Sequence, residues 1–121
     1  DHRQALDLLG QALTLHEELG NHAYQGHALS CMAESHEQLG ELDQAIADSR
    51  RAEELFGRIG DRFGVASTLA RLAELYRRIG DPDASAAASD QARRIIDELD
   101  PSAAAQIRAQ LHRLEQPVAT E

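Results

Sequence analysis

The chain has no lysine, no tryptophan and a single cysteine, and its aromatic residues are two Tyr and two Phe. Each shortage excludes something. One thiol, Cys31, cannot build a disulfide framework within the chain, so a reducing compartment, the cytoplasm, is the expected setting. Aromatics at 3% leave a core of Ala and Leu, which suits close helix–helix contact rather than a bulky globular centre. All twelve basic residues are Arg, set against twenty-one acids, for a formal charge of −9 and a pI near 5.0. That balance disfavours any broad grip on a phosphate backbone, and both a basic stripe and stacking aromatics are missing. No stretch approaches the roughly eighteen apolar residues that span a bilayer, and no basic amphipathic helix suits a membrane surface. The opening DHRQALDLLG lacks a signal-peptide pattern. Nor is there a GxSxG elbow, a phosphate-cradling glycine loop or a pair of acids in an apolar pocket. A non-enzymatic chain with no cofactor is expected.

What is present is a period. Glycines 20, 40, 60 and 80 stand twenty residues apart, each after Leu or Ile, and Asp100 takes the next slot after Leu99. A glycine just past a helix adopts the left-handed conformation that turns the chain, and Asn21, Glu41, Asp61 and Asp81 follow as caps, Glu41 the weakest of them. Pro82, just after Asp81, sits where a helix can begin without its N–H. This spacing predicts six helices at 2–19, 22–39, 42–59, 62–79, 82–99 and 102–115, the segments between turns being about 25 Å long at 1.5 Å per residue. Such short turns make antiparallel neighbours. Residues 116–121 are expected to fray.

The stretch ALSCMAESHEQLGELDQAIADSRRAEEL, Ala28 to Leu55, returns as TLARLAELYRRIGDPDASAAASDQARRI, Thr68 to Ile95. Leu29, Met32, Ala33 and His36 fall in register with Leu69, Leu72, Ala73 and Tyr76. Helix pairs repeated at a fixed period are the signature of a solenoid, so the expected fold is an all-α solenoid over residues 1–115. It divides into a half repeat (1–20), two full repeats (21–60 and 61–100) and a second half repeat (101–115). Leu29 and Leu72 are expected to be buried between the helices of their pairs. Gly10, Gly26, Gly57 and Gly64 lie inside helices, where close backbone approach explains some of them and simple tolerance the rest. Glu54–Arg58, Glu74–Arg78 and Asp90–Arg94 are spaced as helical ion pairs with the acid first.

At these residues the chain resembles the tetratricopeptide repeat, in its longer form of forty residues. Leu29, Met32-Ala33 and His36, then Leu69, Leu72-Ala73 and Tyr76, stand in the first-helix positions of that family. Ala45, Ser49 and Ala52, then Ser85, Ser89 and Ala92, stand in the second-helix positions. The chain departs from the pattern where Ala replaces the small Gly and Ser replaces both second-helix aromatics. The turns Leu19-Gly20-Asn21 and Ile59-Gly60-Asp61-Arg62 are similar to those of repeat arrays in bacterial multidomain transcriptional regulators, where the repeats follow an ATPase module. The chain starts without Met, directly in helical periodicity, and reads as a piece of such a longer protein.

The resemblance implies a concave groove lined by the first helices, which in this family receives peptides. Its contact positions would be His27, Ser30, Glu34, Glu37 and Gln38 in one repeat, and Ser67, Ala70, Glu74, Arg77 and Arg78 in the next. Arg108 and His112 would serve in the terminal half repeat. Such a groove runs from acidic to basic and suits a protein or peptide ligand carrying both charges, though each residue also fits a plain solvated face. The branch of the family that clamps a terminal carboxylate is not expected, because Glu34 and Glu74 would repel one.

His27, Cys31 and Glu34, at i, i+4 and i+7, share a helix face, with His16, His22 or His36 as further ligands. No CxxC or HExxH accompanies them, so no metal is expected. Cys31 reads rather as a small buried hydrophobe and His36 as a packing ring with one wet edge. The leading function is a protein-interaction module. The alternatives are a self-associating scaffold and a small-molecule-sensing domain of an ATPase-coupled transcriptional regulator. Helix 2–19 lacks a partner for Leu6, Leu9, Leu13 and Leu15, and Ile107, Leu111 and Leu114 are expected to be only partly covered. A homodimer through these terminal helices follows as a further expectation.

Overall fold

The computed structural model describes residues 1–116. Six helices follow one another: α1 (His2–Glu18), α2 (His22–Gln38), α3 (Leu42–Arg58), α4 (Arg62–Arg78), α5 (Pro82–Ile96) and α6 (Pro101–Glu115). The expected tail beyond residue 116 lies outside the described residues.

The first four turns are one device repeated. Gly20, Gly40, Gly60 and Gly80 have φ of 66°, 77°, 71° and 84°, which only glycine adopts without strain. In each, the residue after the glycine donates its N–H to the carbonyl five residues back, as Asn21 does to His16 (2.9 Å) and Asp61 to Phe56 (2.9 Å). Asn21, Asp61 and Asp81 then accept from the third N–H of the next helix, whereas Glu41 makes no side-chain cap. The fifth turn differs from expectation. Without a glycine at 100 the left-handed exit is closed, so α5 stops at Ile96 and the chain tightens through Glu98 N–H to Ile95 and Leu99 N–H to Ile96. Asp100 is not an end signal here; it caps α6, accepting from Ser102 N–H at 2.8 Å.

Consecutive helices pack as antiparallel neighbours, and α6 lies against both α4 and α5. Leu29 and Leu72 are buried as expected, at 0% and 2% exposure. Alanines at 33, 52, 73 and 92 are fully enclosed, letting helices approach closely where bulky residues would hold them apart. Phe56 is the one large ring in the centre, and it explains two of the interior glycines. A Cβ on Gly26 would stand 2.8 Å from that ring, and one on Gly64 2.7 Å from it. The close approach is thus of a side chain to two helix backbones, not of backbone to backbone.

Three expectations are corrected. Leu13 belongs to the core, because α2 covers that side of α1. Ile107 and Leu111 are also buried, at 3% and 0%. The reason is register: α6 begins at Pro101, thirty-nine residues after Arg62 opens α4, which aligns Ala104, Ile107 and Leu111 with the buried Val65, Thr68 and Leu72. Cys31 is exposed rather than buried, since its face is the one that carries Arg71 a repeat later.

Candidate functional site

The first helices α2 and α4 meet side by side through one acid. Glu37, its side chain 15% exposed, accepts from Arg71 at 3.3 Å and from Arg78 at 2.9 Å. Arg71 was not singled out from sequence. The available signal was its spacing: Ser67, Arg71, Glu74 and Arg78 fall at i, i+4, i+7 and i+11 on one helix face. Arg78 therefore reaches across the repeat to Glu37 rather than back along α4 to Glu74. Of the three expected helical pairs, Glu54–Arg58 closes, at 2.8 Å.

Around this bridge Glu34 and Gln38 are exposed, and Ser30, Ser67 and Glu74 are half-buried. The remaining expected residues sit elsewhere. His27 packs edge-on against the Phe56 ring, centroids 5.3 Å apart, which ties it to α3. Ala70 is wholly buried and touches no solvent. Arg77 diverges from Arg78 and lines a separate crevice with Ser85, Ser89 and Arg93 of α5 and Glu115 of α6, where Arg93 and Glu115 form an ion pair. Arg108 pairs with Asp97 at 3.6 Å, and His112 lies 3.9 Å from Glu115. Both are on α6, apart from the bridge. Acid and base in this region thus largely satisfy each other across the repeat boundary instead of forming two separate halves.

A second polar constellation was legible in sequence only as a single ring. His36 Nδ1 lies 3.0 Å from Glu41 Oε1, and its Nε2 lies 3.5 Å from Asp48 Oδ2. Glu41 in turn accepts from Arg3 of α1 at 2.9 Å, which accounts for its failure to cap α3. Gln44 donates to Asp48 Oδ1 at 3.2 Å. The chain Arg3–Glu41–His36–Asp48–Gln44 therefore crosses three helices. Burial pushes the Asp48 carboxyl above its ordinary value, against the opposing pull of Gln44, His36 and Arg51. The hydrogen bonds from Arg3 and then His36 hold Glu41 below its own. Burial also raises Glu53, on α3. Half of the expectation for His36 holds: the ring is packed, but its edges meet carboxylates rather than water.

Among the described residues no three His, Cys, Asp or Glu side chains are grouped to hold a metal ion, and no helix is long and apolar enough to cross a membrane. His27, Cys31 and Glu34 do not converge.

Helix pairs in tandem, joined by identical glycine turns and enclosed by alanine, define a helical-repeat solenoid. The sequence profile of the tetratricopeptide repeat matches residues 24–98, well over half of the chain, and the protein belongs to that family. Members of the family are in general protein–protein interaction modules and typically non-catalytic. Comparison with curated proteins finds no match.

Proposed function

We propose that the shared face of α2 and α4 is the partner-binding surface of a protein-interaction module in a larger bacterial regulatory protein of the cytoplasm. The observation that supports it is the Glu37–Arg71–Arg78 bridge, which makes one continuous polar surface of two first helices. Glu37 neutralises one of the two guanidiniums, so the bridge keeps a positive balance, flanked by the acids Glu34 and Glu74. An extended segment with a carboxylate for Arg71 and Arg78, and basic groups for Glu34 and Glu74, fits that pattern. Ser30, Gln38 and Ser67 supply uncharged hydrogen-bonding groups beside it. The bacterial regulatory setting rests on the resemblance of the two glycine turns alone.

The test begins with a displayed library of linear peptides selected on the purified chain. Binders are then mapped by amide chemical shifts. Perturbations gathered on residues 30–38 and 67–78, with binding weakened about tenfold or more by Arg78→Glu and by Glu34→Arg at unchanged Tm, are expected. Perturbations gathered instead on Tyr24, Ile59 and Phe63 at the opposite turns would overturn the assignment.

A further inference from the structure

Between the second helices α3 and α5, with α4 as its floor, runs a groove on the far side of α4 from the Glu37 bridge. Val65, Leu69, Leu72 and Tyr76 share the floor face of α4, and by helical spacing Ser67, Arg71, Glu74 and Arg78 lie opposite. All three helices have packed neighbours, α2 against α3 and α6 against α4 and α5, so the groove is interior to the array. Over Leu69 and Leu72 it deepens into a hollow of about 220 Å³. Counting forty residues back shows how the sequence makes it. Ala84 and Ala88 stand where the preceding repeat has Gln44 and Asp48, which hydrogen-bond each other beside His36. Glu53 stands where α1 has Leu13, a core residue 7% exposed. A carboxylate thus occupies a core position, beside a space that two trimmed side chains leave open.

Glu53 is half-buried and makes no hydrogen bond or ion pair among the described residues. Burial raises its carboxyl above the ordinary value, and Arg50, one turn earlier on α3, opposes that without closing an ion pair. Arg50 is exposed and likewise unpaired. Gln91 of α5 lines the same hollow from the other wall, with the Tyr76 ring on its floor. We propose that this hollow binds a free α-amino acid with an apolar side chain. Its ammonium sits on Glu53 and the Gln91 amide oxygen, its carboxylate on Arg50, and its side chain over Leu69, Leu72, Ala84 and Ala88. Three features choose that chemistry. A cation returns to the Glu53 carboxylate the interaction that burial removed. A simple amine would leave Arg50 unanswered. Neighbours at i and i+3 on a helix stand about 5–6 Å apart at Cβ, which suits a ligand whose opposite charges sit on one carbon. Ala84, Ala87 and Ala88 offer no group to pair a charged side chain, so an apolar one fits the wall they make. The site shares no residue with the α2–α4 face, so either assignment stands without the other.

The probe is L-leucine, titrated to millimolar concentration into the whole 121-residue chain and followed by amide chemical shifts and Tm. Perturbations are expected on residues 50–53 and 84–91, with a Tm that rises with leucine concentration. Isopentylamine, which lacks the carboxylate, and isocaproate, which lacks the ammonium, should each bind about tenfold more weakly or worse. Glu53→Gln and Arg50→Gln should each weaken leucine binding by a similar factor at unchanged far-UV circular dichroism. Arg94→Gln, in the same groove but outside the hollow, should leave it unchanged. Glu53→Leu, which installs the α1 residue, should abolish binding without lowering the Tm of the free chain. Absence of any leucine-dependent shift overturns the proposal. Isopentylamine binding as tightly as leucine also overturns it, because the hollow would then hold a cation only. Perturbations gathered instead on residues 30–38 do the same, since leucine would then occupy the α2–α4 face.

Discussion

Phe56 separates four helix-interior glycines into two pairs of opposite expected sign. In a helix interior, replacing Gly by Ala gains up to about 1 kcal/mol, because the unfolded glycine has more conformational freedom to lose. Gly10 and Gly57 have nothing within 4 Å of an added Cβ, so Gly10→Ala and Gly57→Ala should stabilise by about that amount. At Gly26 and Gly64 the added carbon meets the Phe56 ring, itself only 3% exposed and without room to withdraw. At Gly64 it also meets Asp61 Oδ2 at 2.9 Å, the carboxylate that caps α4. Overpacking of this kind costs about 1–3 kcal/mol. Gly26→Ala and Gly64→Ala are therefore expected to destabilise in urea unfolding. Equal effects at all four positions would mean that the ring does not lie between α2 and α4.

At the scale of the element, the two repeats solve one contact in two ways. Repeat two closes the α4–α5 pair with Tyr76 and Ala88; repeat one places His36 and Asp48 there, with Asp48 Oδ2 buried and lacking a hydrogen bond. His36→Tyr alone takes away the group that faces this oxygen and should cost about 1–3 kcal/mol. Adding Asp48→Ala, the repeat-two solution, should restore stability or exceed the wild type, since replacing a buried polar pair by packed residues is often neutral or favourable. Strict additivity of the two changes would exclude the coupling. The pH dependence carries its own sign. Asp48 has a folded-state pKa raised above 3.8, so its ionisation in the fold opposes stability. That cost is absent below about pH 3.8 and complete above the raised value. Glu41, held below 4.5, acts in the opposite direction: its contribution is present above 4.5 and is lost as pH falls through the lowered value. The stability of Asp48→Ala relative to wild type should accordingly increase as pH rises from 4 to 7. A flat or falling difference would show that Asp48 is not desolvated.

At the scale of the whole molecule, the outward faces of α1 and α6 are unlike among the described residues. On α6 the thirty-nine-residue register places Arg108 and His112 where α4 has Leu69 and Ala73, residues 3% and 0% exposed on its α5-facing side. Alanines 105 and 109 lie beside them in an open hollow that Arg93 and Pro101 complete. Charge at these positions makes the α6 face hydrophilic, whereas the α1 face keeps Leu8 and Leu15 exposed. Arg108→Leu with His112→Ala restores the repeat-like face, and concentration-dependent association in sedimentation is the expected outcome. Unchanged hydrodynamics from micromolar to near-millimolar protein would show that those two residues are not what keeps this face in water. Ion pairs between repeats, such as Arg3–Glu41, Arg51–Glu17 and Arg62–Glu98, lie at the surface, where solvent and salt screen them.

Helix number, the first four turns and the enclosed face of each full repeat were determined by the sequence alone. The reason is local: a glycine after the last turn, a capping acid and apolar residues at helical spacing act within a few residues of one another. The same logic failed at Asp100, where a missing glycine shortened α5 and moved α6 by one residue, which rotated its faces. That rotation is why Ile107 and Leu111 are covered, while Arg108 and His112 are displaced from the positions assigned to them. The surface proposed to face a partner was legible only in part, because Glu34, Glu37, Glu74 and Arg78 could be placed on helix faces but not on each other. Which arginine meets which acid depends on how α2 and α4 lie side by side, a non-local geometry. Only the tertiary structure decided that Arg71 and Arg78 share Glu37, that Arg77 turns away toward α5, and that Phe56 needs two glycines on helices that precede and follow its own.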